Sequence, residues 1–111
     1  VQTCALPISE FKSQANRLLS EKEVQSVINY LAAHPLTGVV MQGTGGIRKI
    51  RWSSANKGKS GGVRVIYYYH NQSTPLFLLT LFGKGAKSNL SKSERNTLAK
   101  FVNTLIRNYG E

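Results

Sequence analysis

Between Arg48 and Arg64 the chain reads RKIRWSSANKGKSGGVR, with six positive charges and no negative one in seventeen residues. Arginine keeps its charge at any pH a folded protein experiences, and neither arginine nor lysine accepts a proton readily near neutrality. What such side chains do well is bind anions and stabilise negative charge that develops in a transition state. Lys49 and Arg51 sit two residues apart, the spacing that places both on one face of a strand. Arg64 follows after a Ser/Lys/Gly segment that carries Lys57 and Lys59.

The asymmetry extends well beyond this stretch. From Val24 to Ser93 there is no Asp or Glu, against nine Lys and Arg, and the net charge of the 111 residues is +10. A surface made only for solubility mixes its signs. Seventy residues of one sign form an electrostatic footprint for phosphates, for acidic protein or for anionic lipid. The lipid reading is the weakest, because the basic residues fall on strands and loops and not on an amphipathic helix.

Other residue types add little chemistry. His34 stands at the end of a helix, where an imidazole meets free carbonyls, and His70 at the end of a strand; both read as structural. With no carboxylate nearby in sequence, a His–carboxylate pair or a metal site is hard to assemble around them. The single cysteine, Cys4, excludes a disulfide framework and a Cys-based metal site. No metal or cofactor is expected. Gly43-Thr44-Gly45-Gly46 resembles a phosphate loop only superficially, since it lacks the following Gly-Lys and enters a strand instead of a helix. In Tyr67-Tyr68-Tyr69 alternate rings point to opposite faces. At least one belongs to the core, and Tyr68 is a candidate to stack on a base.

The elements that must position these residues are legible from period and caps. Phe11, Ala15, Leu18 and Leu19 share a weak helical stripe over 10–19. Ser20 and Glu23 form a capping box before Val24, Val27, Ile28 and Leu31, so a second helix runs to Ala33, where His34-Pro35 ends it. Ile47–Trp52, Val63–His70 and Leu76–Phe82 read as three antiparallel strands. A basic loop carrying Lys84 and Lys87 precedes a second capping box, Ser91 with Glu94. A last amphipathic helix follows, with Leu98, Phe101, Val102, Leu105 and Ile106 on its stripe. The expected fold is α+β in one domain: a small antiparallel sheet packed with two N-terminal helices and one C-terminal helix. At 41% hydrophobic residues, the chain has enough apolar material for such a core. No apolar run approaches the roughly 18 residues of a membrane span, no secretory signal is apparent, and the cytoplasm is the expected compartment.

The first residues stand apart. VQTCALPIS resembles an in-frame translation of a sequencing-adapter tail, so residues 1–8 are expected to be non-native and the domain to occupy 9–111. On that reading an N-terminal strand is missing or replaced; a natural strand over Thr3–Leu6 is the alternative.

Several blocks taken together carry a family resemblance. Gly43-Thr44-Gly45-Gly46-Ile47-Arg48-Lys49-Ile50-Arg51, then Gly58-Lys59 and Gly61-Gly62-Val63-Arg64-Val65-Ile66-Tyr67-Tyr68, then Leu78-Leu79-Thr80 and Gly83-Lys84, resemble the RelE/ParE superfamily of bacterial toxins. The likeness is greatest to the HigB-like branch of type II toxin–antitoxin systems and extends from about Phe11 to Ile106. It implies a RelE-like fold and a metal-independent endoribonuclease (an mRNA interferase) that cuts messenger RNA in the ribosomal A site and so inhibits translation. By position it implies that Lys49, Arg51, Arg64 and Lys84 form the catalytic set. Arg48, Lys57, Lys59, Tyr68 and Lys87 are expected RNA contacts. The implied partners are mRNA on the ribosome and a helix-turn-helix, HigA-like antitoxin, through which alone operator DNA would be reached. Two departures stand out: Gly85-Ala86 where many relatives have a further basic or polar side chain, and Ser91 near the place where some use a tyrosine.

RNA brings its own nucleophile, the 2′-OH, so a cationic site can stabilise the transition state while relying on imposed geometry for much of the rate. The expectation is weak activity on free RNA and strong activity where the ribosome holds the codon. Two other classes fit the same charge pattern: a noncatalytic RNA-binding module, and a ParE-like poison of DNA gyrase.

Overall fold

The computed structural model describes residues 5–53, 62–71, 73–83 and 90–109. Strand β1 (Ala5–Pro7) leads into helix α1 (Ser9–Leu18) and helix α2 (Glu21–Ala33). Four strands follow, β2 (Val39–Val40), β3 (Ile47–Ser53), β4 (Gly62–Tyr68) and β5 (Leu76–Gly83), and then helix α3 (Lys92–Tyr109). The strands form one sheet in the order β1-β5-β4-β3-β2, antiparallel except for the β1–β5 pair. The fold is α+β, with two helices before the sheet and one after it, as the sequence implied. Its N-terminal edge position is filled by Ala5–Pro7, from the very segment expected to be foreign.

Both capping boxes form. Ser20 Oγ accepts from Glu23 N at 3.2 Å while Glu23 Oε1 accepts from Ser20 N at 3.0 Å. The same reciprocal pair joins Ser91 and Glu94 at 3.1 and 2.8 Å. Each box satisfies amide donors that a helix start leaves without partners, and the carboxylate there also meets the positive end of the helix dipole. Glu10 and Glu21 likewise stand in the first turns of α1 and α2. The acidic side chains of the described residues are therefore gathered at helix starts, and the sheet is left uniformly basic.

Strand alternation divides the core in two. Val63, Val65, Tyr67, Leu76, Leu78 and Leu81 point to one face and pack with Phe11, Ala15, Val27 and Leu31 of α1 and α2. Ile47, Ile66, Tyr68, Phe77, Leu79 and Phe82 point to the other and pack with Leu90 and with Val102 of α3. On the expected stripe of α3, Phe101 is instead 39% exposed. Between Ile66 and Tyr67 the β4–β5 register shifts, so that Leu79 is the extra residue of a bulge.

The glycine-rich stretch is the turn of the β2–β3 hairpin and not a phosphate cradle. Met41 N donates to Ile47 O at 2.8 Å. Thr44, 3% exposed, donates through Oγ1 to Met41 O (2.7 Å) and accepts from Ile47 N (3.1 Å). Gly46 has φ of +118°, and a Cβ there would stand 3.3 Å from the Tyr68 ring, so both conformation and close approach require glycine.

Candidate nucleic-acid interface

Period two decides which way the basic residues of β3 point. Ile47 lies in the core beneath α3 and is fully buried, so Lys49 and Arg51, two and four residues on, share its face. Ile50 and Trp52 turn the other way and pack toward α1 and α2. The β3–β4 register places Lys49 opposite Ile66 and Arg51 opposite Arg64, and Phe82 of β5 lies opposite Arg64 on its far side. Lys49, Arg51 and Arg64 thus converge on one face, above an apolar floor of Ile66 and Phe82.

The environment of these cations is polarised. Arg51 is exposed, whereas Lys49 and Arg64 are half-buried. Nη1 of Arg64 is fully buried and has no hydrogen-bond partner among the described residues. A buried donor left in that state costs on the order of 1–3 kcal/mol. Opposed like charges on neighbouring strands add roughly 0.2–1 kcal/mol. An anion between Arg51 and Arg64 relieves the like-charge penalty, and phosphate or carboxylate oxygens have the geometry to accept from such forks.

The other basic positions separate into three groups. Arg48 lies on the opposite face, where its Nη1 donates to Gly38 O (2.8 Å) and Leu36 O (3.3 Å). It clamps the connector between α2 and β2 and stands away from the Lys49–Arg64 cluster. Tyr68 is 5% exposed, its ring packed in the core beneath α3 and its hydroxyl 3.3 Å from His70 Nδ1. It presents no ring face to a base, because Gly46 and the core already cover it. Lys57 and Lys59, and Lys84 and Lys87, lie outside the described residues. Lys84 directly follows Gly83, which pairs with Val63 beside Arg64.

A buried strap, unforeseen from sequence, supports the site from beneath. Tyr67 is fully buried; its hydroxyl donates to Pro35 O (2.9 Å) and accepts from Gly38 N (2.8 Å). Burial pushes the Tyr67 hydroxyl above its usual range, against smaller downward pulls from the Gly38 hydrogen bond and the Arg48 charge. Arg48 and Tyr67 face each other across the ladder. Together they tie 35–38 to the sheet and so deliver Val39 to its partner Lys49. The aromatic pair Tyr30 and Trp52 was also unforeseen. Its one sequence signal is that Tyr30 falls off the apolar stripe of α2.

Among the described residues, no three His, Cys, Asp or Glu side chains come together in a way that could hold a metal ion. No described helix is long and apolar enough to cross a membrane.

The fold and site define a class: a small α+β domain with converging cations on one face of a partly covered sheet. Residues 16–109, all but the two ends of the chain, match the family model of the RelE toxin of the RelE/RelB toxin–antitoxin system. The chain belongs to the RelE toxin family.

Proposed function

We propose that this protein is the toxin of a type II toxin–antitoxin system, of the HigB-like branch, and that it is a ribosome-dependent endoribonuclease. The observation that carries the reading is the Arg51–Arg64 pair, with Nη1 of Arg64 buried and unpartnered among the described residues. In the proposed reaction the 2′-OH attacks the adjacent phosphorus in line, the 5′-oxygen leaves, and a 2′,3′-cyclic phosphate and a 5′-OH result. Negative charge grows on the phosphoryl oxygens during attack. Arg51 and Arg64 stabilise it, with Lys49 beside them, and the family resemblance adds Lys84, which lies outside the described residues, to the same set. Lys57, Lys59 and Lys87 are assigned to the RNA backbone. Arg48 and Tyr68 are assigned to holding the fold and not to RNA.

Proton transfer is the weak part of such a site, since cationic side chains near neutrality are poor bases. Geometry imposed on the codon by the ribosome then supplies much of the acceleration. The reading includes a cytoplasmic location and a helix-turn-helix antitoxin that covers the Lys49–Arg64 face or an adjacent sheet edge. The test is 5′-end mapping of mRNA in a purified translation mixture, with and without ribosomes, for the wild type and Arg64→Ala. Circular dichroism verifies that both proteins are folded. Codon-phased cuts that need ribosomes and disappear in the variant are expected. Intact message beside folded wild-type protein would overturn the nuclease reading, and inhibition of gyrase supercoiling would replace it with a gyrase poison.

A further inference from the structure

Strand β2 pairs only with Arg48 and Lys49, so β3 runs on past it from Ile50 to Ser53. Beside that outer edge lies a pocket of about 420 Å³, within the roughly 300–1,000 Å³ of small-molecule sites. Ile50 and Trp52 of β3 line it together with Tyr30 of α2, and Thr37 and Val39 close it from the connector. The Tyr30 and Trp52 rings meet edge to face, with centroids 5.8 Å apart and planes at 62°. Tyr30 remains 41% exposed and is further braced by the His34 ring at 4.8 Å.

Three features decide what fits there. An aromatic ring held by its neighbours and open on one side is a stacking platform at little entropic cost. Lys49 and Arg51 also line the pocket, and among the described residues no carboxylate does. Both cations belong equally to the face that carries Arg64, so the pocket is continuous with the cationic surface. The β3 edge from Ile50 to Ser53, which no described strand pairs on that side, finally offers N–H and C=O groups to the hydrogen-bonding rim of a planar ligand. An aromatic platform beside a cationic track is how single-stranded nucleic acid is held without sequence readout.

From this we infer that the Tyr30–Trp52 pocket is a base-binding subsite. It takes one unpaired nucleobase of an RNA strand whose neighbouring phosphates lie on Lys49 and Arg51. The inference rests on the reading of RNA as substrate and adds a contact on the helix α2 side of the sheet, for the base beside the phosphates that Lys49 and Arg51 hold.

Trp52 is the chain's single tryptophan, so its fluorescence reports on this pocket alone. The probe is a short 2′-O-methyl oligoribonucleotide, which cannot be cleaved, compared with an abasic strand of the same length and charge. Binding is followed by anisotropy and by Trp52 emission. The base-containing strand is expected to quench Trp52 and to bind about tenfold more tightly than the abasic one. Tyr30→Ala should remove that advantage and leave abasic binding unchanged, while Tyr30→Phe, which keeps the ring, should retain it. Equal affinity for both strands, or unchanged Trp52 emission at saturation, would overturn the subsite and leave the nuclease reading intact. Failure of both strands to bind would overturn the subsite, while the nuclease reading is decided separately by the ribosome-dependent cleavage assay. Trp52 emission that responds to a co-expressed protein partner but not to saturating RNA would assign the pocket to a peptide segment on the β3 edge, and would also overturn the inference.

Discussion

Arg51 and Arg64 stand directly opposite each other across the β3–β4 ladder, with Nη1 of Arg64 buried and unpartnered among the described residues. Opposed residues in such a ladder have Cβ atoms about 5 Å apart, close enough for like charges to destabilise. The free protein therefore holds a local penalty at this pair. Arg64→Met keeps much of the half-buried stem and discards the charge, and is expected to stabilise the free protein by about 1 kcal/mol in low salt. That corresponds to a rise in Tm of roughly 4–8 °C for a domain of this size. The gain should shrink toward 0.15 M salt, where the Debye length falls to about 8 Å. A variant less stable than wild type at low ionic strength would remove the electrostatic-strain argument.

Tyr67 gives the protein a pH limit. Its folded-state hydroxyl is raised above the ordinary tyrosine value of about 10, chiefly by burial, and Tyr68 is raised for the same reason. The unfolded chain therefore loses these protons first as pH rises. The associated stability is fully present below about pH 10 and is lost as pH climbs from there through the raised folded values. Urea midpoints should be flat with respect to these groups at neutral pH and fall in the alkaline range. Tyr67→Phe should cost about 1–3 kcal/mol at neutral pH, since it strands the Gly38 amide and Pro35 carbonyl, and should show a shallower alkaline decline. An equally steep decline in the variant would move the effect elsewhere.

Much of this fold could be read from local signals, and the limits of that reading are physical. The capping boxes at Ser20 and Ser91 and the period of Val27, Leu31 and Val102 locate helices because their causes lie within a few residues. The faces of β3 follow from alternation alone, which is why Lys49 and Arg51 were paired correctly. Val39–Val40 escaped, and Ala5–Pro7 was foreshadowed only by the alternative strand over Thr3–Leu6, because strands of two and three residues have no period to detect. The opposition of Arg51 and Arg64 depends on register across the segment between β3 and β4, which composition does not set. Arg48 looked like its basic neighbours, yet its partners are carbonyls ten and twelve residues back along the chain. Tyr68 could be assigned a face but not a cover, since the covering elements are Gly46 and the core beneath α3.

Gly38 tests how closely the strap is packed. A Cβ there would lie 2.7 Å from the Tyr67 hydroxyl and 2.9 Å from Ile50 Cγ2, below any ordinary contact. The barrier is steric and the neighbours are held, so Gly38→Ala is expected to destabilise by about 1–3 kcal/mol. Hydrogen exchange should accelerate at Val39 and Val40 ahead of the β4–β5 ladder, because β2 is the element the strap delivers. Uniform acceleration across the sheet would indicate that the connector does not unfasten as a unit.

The two faces of β3 make opposite predictions for charge removal. Each phosphate contact to single-stranded RNA contributes about 0.7 to the slope of log affinity against log salt. Lys49→Gln, Arg51→Gln and Arg64→Gln should each lower that slope by up to this amount and weaken binding across sequences alike. Arg48→Gln should leave the slope unchanged, since its guanidinium serves the Leu36 and Gly38 carbonyls on the far face. Its effect should appear instead as lost stability, of about 1–3 kcal/mol for carbonyls deprived of a charged donor. Affinity measured at several salt concentrations, with denaturation curves on the same preparations, separates the two. A reduced slope for Arg48→Gln with unchanged slopes for the other three would place the RNA on the opposite face of the sheet and refute the interface described above.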